Sequence, residues 1–189
     1  YIHIPFCSHI CLYCGFFQNF INEDREQRYV ERLLKELEMA KEDKLLQAKP
    51  LQCVFFGGGT PSALSPANIT KVLQKLKECI PLTNDCEITM EARIYDLQKE
   101  RIEAWFANGV NRVSIGVQSF DTKIRQASGR LDTKETVMDR LKLISSYDQA
   151  SIIVDIIFGL PGQTLESFME DLACIDSLPI SGMDLYQLN

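Results

Sequence analysis

The sequence has no surplus of positive charge and no long apolar run. Its formal net charge is −6 over 189 residues, which argues against a nucleic-acid polyanion as the main partner but leaves room for a local basic pocket. No window is long or apolar enough to cross a bilayer. We therefore expect neither a nucleic acid nor a membrane among the partners of this protein.

The chain also lacks an initiator methionine and a basic region before its first apolar segment. The second absence argues against a signal peptide. Because Cys7 follows so soon after the first residue, and because the last residues read as a strand, we expect residues 1–189 to be one domain of a longer protein.

The number of cysteines is odd, so disulfides could not pair all of them. There are seven, and three of them, Cys7, Cys11 and Cys14, lie close together and are called the cysteine triplet below. This distribution is typical of a metal site rather than of a disulfide framework, so we expect a reducing, cytoplasmic compartment. The remaining cysteines are predicted to be small buried apolar side chains: Cys53, Cys79, Cys86 and Cys174.

Apolar runs alternate with amphipathic segments from end to end of the chain. The runs predict strands at residues 1–5, 52–56, 87–91, 112–117, 152–158 and 183–188. Helices are predicted at residues 24–47, 98–107, 133–147 and 164–177, and one more begins after Ser65-Pro66. Such βα units without a hairpin signal imply an α/β fold with parallel strands, either a doubly wound open sheet or a partial barrel of about six strands.

Polar or glycine-rich segments lie at the ends of four successive predicted strands. The second strand runs into a GGGTP turn at residues 57–61, where glycine lets the backbone approach a ligand closely. Glu91 ends the third strand, Gln118 follows the fourth, and Asp155 lies in the fifth. Because the carboxyl ends of parallel barrel strands meet at one face, we expect these groups to form a binding site.

The cysteine triplet has the spacing C-x3-C-x2-C and lies in the loop after the first strand. Three thiolates so close in sequence can hold an iron–sulfur cube, and the lack of a fourth leaves one iron with open positions. Zinc is the rival interpretation, but neither His3 nor His9 has the spacing usual for its fourth ligand. Three buried structural cysteines are the third interpretation, which Tyr13 next to the last cysteine disfavours.

This spacing, with an aromatic residue before the third cysteine, resembles the signature of the radical S-adenosylmethionine (SAM) superfamily. The opening residues 1–7, YIHIPFC, resemble its oxygen-independent coproporphyrinogen III oxidase-like branch. Later motifs follow in the family's order, so the resemblance covers essentially the whole chain. It implies a partial (β/α)6 radical SAM barrel over residues 1–189, a [4Fe–4S] cluster bound by the triplet, and SAM as a second cofactor.

The resemblance also implies which residues bind SAM. Gly58, Gly59 and Thr60 match the glycine motif at the SAM methionine. Asp155 is expected at the ribose and Arg130 at the methionine carboxylate. The full set that it implies is Tyr1, Tyr13, Gly58, Gly59, Thr60, Glu91, Gln118, Arg130 and Asp155, with Asn189 near the adenine. In the oxidases of this branch a second SAM shares the position of Glu91, and its presence here stays open.

Short signatures within the branch favour one subgroup. GFFQN at residues 15–19, EAR at 91–93 and DLYQL at 184–188 look most like the anaerobic haem-degrading radical SAM methyltransferases. That likeness implies methyl transfer to haem, ring opening and iron release, with a flavodoxin- or ferredoxin-type electron donor. Oxidative decarboxylation of coproporphyrinogen III and a haem-chaperone role are the alternatives. A C-terminal region outside residues 1–189 is expected to complete the substrate pocket.

Three residues are candidates for contact with a tetrapyrrole. Phe16 and Phe17 offer flat apolar surface to a macrocycle, and Arg93 can pair bidentately with a propionate. The alternatives are that the two aromatics pack the cysteine loop onto the barrel and that Arg93 pairs with a neighbouring acid.

Overall fold

The structure is a computed structural model that describes residues 1–16 and 19–188. Its strands are β1 (Ile2–Ile4), β2 (Phe6–Cys7), β3 (Asn19–Phe20), β4 (Leu51–Gly58), β5 (Leu82–Arg93), β6 (Arg112–Gln118), β7 (Ser151–Phe158) and β8 (Gly182–Gln187). Six of them form one parallel sheet in the order β1-β4-β5-β6-β7-β8. The short parallel pair β2 and β3 frames the loop that carries the cysteine triplet.

The strand order decides between the two architectures that the sequence left open. In a doubly wound sheet the order reverses at a switch point, whereas here each strand of the main sheet lies beside the next one along the chain. A sheet that always advances in one direction is the arrangement of a barrel. The partial (β/α)6 barrel is therefore confirmed.

The helices of the structure are α1 (Glu23–Met39), α2 (Lys44–Ala48), α3 (Pro66–Cys79), α4 (Lys99–Ala107), α5 (Thr122–Ala127), α6 (Lys134–Ser145) and α7 (Leu165–Asp176). Most begin at a side-chain cap of the expected type. Ser65 accepts a hydrogen bond from the backbone of Asn68 at the start of α3, and Thr164 and Ser167 form a capping box at the start of α7. No helix in the described ranges is long and apolar enough to span a membrane.

Two helix predictions were wrong, and an aspartate explains each. The single helix predicted over residues 24–47 is interrupted: α1 ends at Met39 and a 3-10 turn covers Ala40–Glu42. Asp43 then adopts an extended conformation and caps α2 by accepting from the backbone amides of Leu45 and Leu46. Helix α5 was missed altogether. Asp121 caps it in the same way, but six residues are too few to show an apolar period.

The two faces of the sheet differ in what covers them. Buried residues such as Met90, Val113 and Val154 alternate along the strands with less buried ones, and the buried set packs against the helices. The other set faces the interior of the barrel. Cys53 belongs to it and is exposed, so its predicted burial was wrong. Cys79 and Cys86 are buried as predicted, while Cys174 is half-buried against the core.

Candidate functional site

A cavity of about 640 Å³ opens at the carboxyl ends of the strands. Because β-strand side chains alternate between the two faces, residues from β4, β5, β6 and β7 reach it from one side, and the loop of the cysteine triplet closes the other. Its lining includes most of the predicted site residues: Cys7, Cys11, Tyr13, Cys14, Gly58, Gly59, Thr60, Glu91, Gln118, Arg130 and Asp155.

Backbone hydrogen bonds hold the cysteine loop over this cavity. The amide of Cys14 donates to the carbonyl of Cys11 over 3.1 Å, and the amide of Leu12 donates to the carbonyl of Ser128 over 3.3 Å. The Cys7 sulfur lies 3.2 Å from Oγ1 of Thr60. Burial raises the pKa of the Cys7 thiol, while Thr60 and Arg93 act in the opposite direction. Hydrogen bonds within the loop and to the barrel therefore hold the backbone that positions these sulfurs at the cavity.

The spacing of these sulfurs bears on the choice of metal. Thiolates bound to one tetrahedral zinc at about 2.3 Å lie roughly 3.8 Å from one another. Among the described residues, the only set of three potential metal ligands whose ligand atoms all lie within 4.8 Å of one another is the exposed Glu38 and Glu78 with the buried Cys79. The three sulfurs of the cysteine triplet do not all lie within that distance of one another, so they are spaced more widely than in a closed zinc site.

Close contacts within the protein require glycine at the end of β4. Gly58 has a φ of +112°, and a Cβ there would lie 2.6 Å from the His3 ring. A Cβ on Gly59 would lie 2.7 Å from the carbonyl oxygen of Phe6. Both glycines line the cavity, so the turn lets β4 pass close to the chain around β1 and also leaves room beside the cysteine loop.

Two carboxyl groups face the cavity without a cationic partner among the described residues. Glu91 accepts a 3.0 Å hydrogen bond from the amide of Gly58, and burial, with help from Asp155, raises its pKa to about 6. Asp155 accepts a 3.0 Å hydrogen bond from Oγ of Ser114, and burial is also the main cause of its raised pKa. Unpaired, partly desolvated carboxyls in a cleft are typical of a binding site.

Gln118 and Arg130 add an unused acceptor and an unpaired cation. Gln118 sits at a bulge in β6 with a φ of 72°, and within the described chain its buried Oε1 has no hydrogen-bond partner. Arg130 is 6% exposed and donates from Nε and Nη2 to the Tyr13 hydroxyl, at 3.1 and 2.9 Å, and from Nη1 to the carbonyl of Gly116. No described carboxylate pairs with this guanidinium, so its buried charge favours an anionic ligand.

A model of the Radical SAM superfamily matches residues 1–175. The chain belongs to this superfamily. It is 43% identical over 189 residues to the anaerobilin synthase of Escherichia coli O157:H7, covering 100% of this chain and 42% of that relative. It is 35% identical over 188 residues to the haem chaperone HemW of Lactococcus lactis, covering 100% of this chain and 48% of the relative. The chain thus spans less than half the length of these curated relatives.

A solved structure shares the fold over the whole chain. Coproporphyrinogen III oxidase (HemN) from Escherichia coli, a radical SAM enzyme, superposes with a TM-score of 0.91 at 27% identity, covering 100% of this chain and 43% of that one. The cofactors of the superfamily are a [4Fe–4S] cluster and SAM, and they are those of this chain. The cavity fits both, because it combines widely spaced thiols with an unpaired cation and an unused acceptor.

Not every predicted residue of this radical SAM chain lies in the cavity. Tyr1 is 75% exposed, stacks on Phe55 and forms a hydrogen bond with His3. A Cβ built on Gly57 would lie 3.0 Å from the Tyr1 ring and 3.0 Å from the Glu91 carboxylate, so both side chains lie next to Gly57. Tyr1 therefore sits beside the carboxyl of Glu91 on the interior face of the sheet but outside the lining. Asn189 and Phe17 lie outside the described residues.

Two contributors to the site were missed or misread from the sequence. Ser114 donates a hydrogen bond to Asp155. It lies two residues after Arg112 and therefore on the same face of β6, and this period of two could have predicted its place in the site. Arg93 does line the cavity, but its guanidinium contacts the cysteine loop. The alternative, a pairing of Arg93 with a neighbouring acid, is not found among the described residues. Phe16 also lines the cavity and is 75% exposed.

Proposed function

We propose that residues 1–189 are the core of a radical SAM enzyme that transfers a methyl group to haem, opens the macrocycle and releases its iron without oxygen. The observation that carries this proposal is 43% identity to an anaerobilin synthase across the entire chain. In this chain the cysteine triplet and the polar strand-end residues line one cavity. The relatives are about twice as long, so the proposal concerns the whole protein, with a further C-terminal region completing the substrate pocket.

In this proposal the cysteine triplet binds the [4Fe–4S] cluster and Arg130 binds the methionine carboxylate of SAM. The support for Arg130 is its burial and the lack of a carboxylate partner in the described part of the chain. Asp155 and the free Oε1 of Gln118 accept hydrogen bonds from hydroxyl or amino groups of SAM. The other residues assigned to SAM are Tyr1, Tyr13, Gly58, Gly59, Thr60 and Glu91.

When bound, the reduced cluster supplies the electron that splits a carbon–sulfur bond of SAM. The chain's own contribution is to orient the cofactor and to exclude water from the reacting atoms. Glu91 can also hold or release a proton near neutral pH, because burial raises its pKa to about 6. Phe16, at the cavity, adds exposed aromatic surface against which a flat apolar ring can lie.

The proposal includes three statements about the protein's surroundings. Its electron donor is of the flavodoxin or ferredoxin type, because the cluster must be reduced at a low potential. Its compartment is the reducing cytoplasm, where free thiols persist. Its macromolecular partners include no nucleic acid and no membrane, in keeping with a net charge of −6.

The test is anaerobic turnover of the full-length protein with a strong reductant, SAM and either haem or coproporphyrinogen III, followed by mass spectrometry. A methylated, ring-opened product from haem supports the proposal. The matched control is Cys14→Ala, which should give no product from either tetrapyrrole.

Two other outcomes would replace the proposal. Release of carbon dioxide with a vinyl-bearing product from coproporphyrinogen III would identify an oxidase, the activity named for the solved structure that this chain resembles. Intact haem retained on the protein without a gain of methyl mass would identify a chaperone, as named for the relative from Lactococcus lactis.

A further inference from the structure

Arg93 is the last residue of β5, and its side chain reaches across the cavity mouth to the cysteine loop. Nη1 donates to the carbonyl of His9 over 2.8 Å, and Nη2 donates to the Cys11 sulfur over 3.9 Å. These contacts join residues more than 80 positions apart in the chain. In the described ranges no carboxylate lies within ion-pair distance of this guanidinium, so its charge is directed at the loop.

A buried network holds the backbone of Arg93 in place. Its amide donates to Oγ of Ser62 over 3.2 Å, and that hydroxyl donates to Oδ2 of Asp96 over 2.8 Å. Ser62 is 0% exposed and Asp96 is 2% exposed. Hydrogen bonds shielded in this way are strengthened by the low local dielectric, so the base of the Arg93 side chain is rigid.

The same network reaches a second cysteine of the triplet. Thr60 lies two residues before Ser62, and its Oγ1 lies 3.2 Å from the Cys7 sulfur. The turn after β4 and the end of β5, joined through Ser62, therefore contact the sulfurs of both Cys7 and Cys11.

We propose that Arg93 is a positioning residue for the iron–sulfur cluster, which fastens the cysteine loop to the barrel and gives the Cys11 sulfur a cationic N–H donor. This inference rests on the proposed assignment of the triplet as cluster ligands. Groups that hydrogen-bond to ligand sulfurs, together with nearby charge, tune the reduction potential of such clusters. A cation stabilises the reduced cluster more than the oxidised one, because the reduced cluster carries one more negative charge.

The first measurement is the reduction potential of the cluster in the reconstituted full-length protein, with the reduced cluster detected by electron paramagnetic resonance. In Arg93→Gln we expect the equilibrium constant for reduction to fall about tenfold, which is about 59 mV to more negative potential for one electron. Arg93→Lys keeps the charge but not the two-point contact, so its potential should lie between those of Arg93→Gln and the wild type. The matched control is Arg140→Gln, because Arg140 is also half-buried and donates to a loop carbonyl, that of Leu97, away from the cysteines.

The second measurement needs no cluster. Hydrogen exchange of metal-free protein should be faster at residues 8–14 in Arg93→Gln than in the wild type or in Arg140→Gln, because one anchor of the loop is lost. Faster exchange together with the lower potential supports the proposal. An unchanged potential in a fully loaded Arg93→Gln variant overturns it, most clearly if the affinity for haem falls instead. If Cys14→Ala still binds an intact cluster, the ligand assignment itself is wrong, and the exchange result still reports on the anchor.

Discussion

Two groups of charged side chains lie in different surroundings in this molecule. The outer quartet on α1, α3 and the turn after α1 consists of Glu38, Lys41, Lys75 and Glu78. Each of its carboxylates contacts lysine, with Lys41 Nζ at 2.9 Å from Glu38 and 2.8 Å from Glu78. The cavity group consists of Glu91, Arg130 and Asp155, and within the described chain none of them belongs to an ion pair.

The pKa values of the two groups move in opposite directions. Hydrogen bonds from Lys75 and Lys41 lower the pKa of the exposed Glu38 to about 2, whereas burial raises that of Glu91 to about 6. Exposed pairs of the first kind contribute little to stability. Buried charged groups without an ion-pair partner are unfavourable for the stability of the protein alone, so their presence indicates a ligand.

The outer quartet also shows why close spacing alone does not identify a metal site. Glu38, Glu78 and Cys79 could place three ligand atoms within 4.8 Å of one another. The two carboxylates are already neutralised by lysines, however, and both are exposed. The sulfurs of the cysteine triplet are spaced more widely than these ligand atoms, but they face a cavity. Substitutions in the two groups should therefore have different effects.

The largest effect is expected from removing a cysteine of the triplet. Cys14→Ala, like Cys7→Ala or Cys11→Ala, should lose the visible absorbance of the cluster and all reductive formation of 5′-deoxyadenosine, because three thiolates are the minimum for holding it. Cys79→Ala is the control, because Cys79 lies next to Glu78 of the outer quartet. This variant should retain both the absorbance of the cluster and the formation of 5′-deoxyadenosine. Production of 5′-deoxyadenosine by the Cys14→Ala variant would show that the ligand assignment is wrong.

A smaller effect is expected from a carboxylate of the cavity. Asp155→Asn should weaken SAM binding roughly 10- to 150-fold, the equivalent of about 1.5–3 kcal/mol for a lost charged hydrogen bond. Isothermal titration calorimetry on the cluster-loaded full-length protein measures this change. Glu38→Gln removes a carboxylate of the outer quartet and should leave the affinity unchanged. Equal losses in the two variants would show that the cavity carboxylate has no special role in binding SAM.

The smallest effect is a pH dependence of stability with opposite signs at Glu91 and Glu38. The raised pKa of Glu91 means that the folded state binds its proton more tightly, so its contribution is complete below about pH 4.5 and is lost as the pH rises through about 6. Glu91→Gln should therefore raise the thermal midpoint of the metal-free protein at pH 7.5 by roughly 2–4 °C, with solvent screening limiting the gain to about 1 kcal/mol, and change little at pH 4.5.

Glu38 behaves in the reverse sense, because its pKa is lowered. Its contribution is present above about pH 4.5 and is lost as the pH falls towards 2. Glu38→Gln should thus lower the midpoint slightly at pH 7.5, and high salt should remove the difference. A lower midpoint for Glu91→Gln at pH 7.5 would mean that its carboxylate is stabilised rather than destabilised in the folded protein.

Local patterns account for the parts of the fold that could be predicted. Strand β6 alternates polar and apolar residues and β7 is mostly apolar, and helices such as α6 and α7 carry both a cap and an apolar period, so a short window contains the whole signal. The break at Asp43 was missed because one capping side chain outweighed the periodicity, and α5 was missed because six residues are too few to show a period.

Spacing and alternation are properties of neighbouring residues, so they were enough to identify the cysteine triplet and to place Glu91 near the end of one strand and Asp155 within another. The tertiary structure was needed to show that the sheet advances in one direction, that Cys53 faces the barrel interior, and that Arg93 contacts the cysteine loop. The physical reason is that strand order and side-chain contacts join residues far apart in the chain. Arg93 and His9 are separated by 84 positions, and no local pattern records which distant carbonyl a guanidinium will meet.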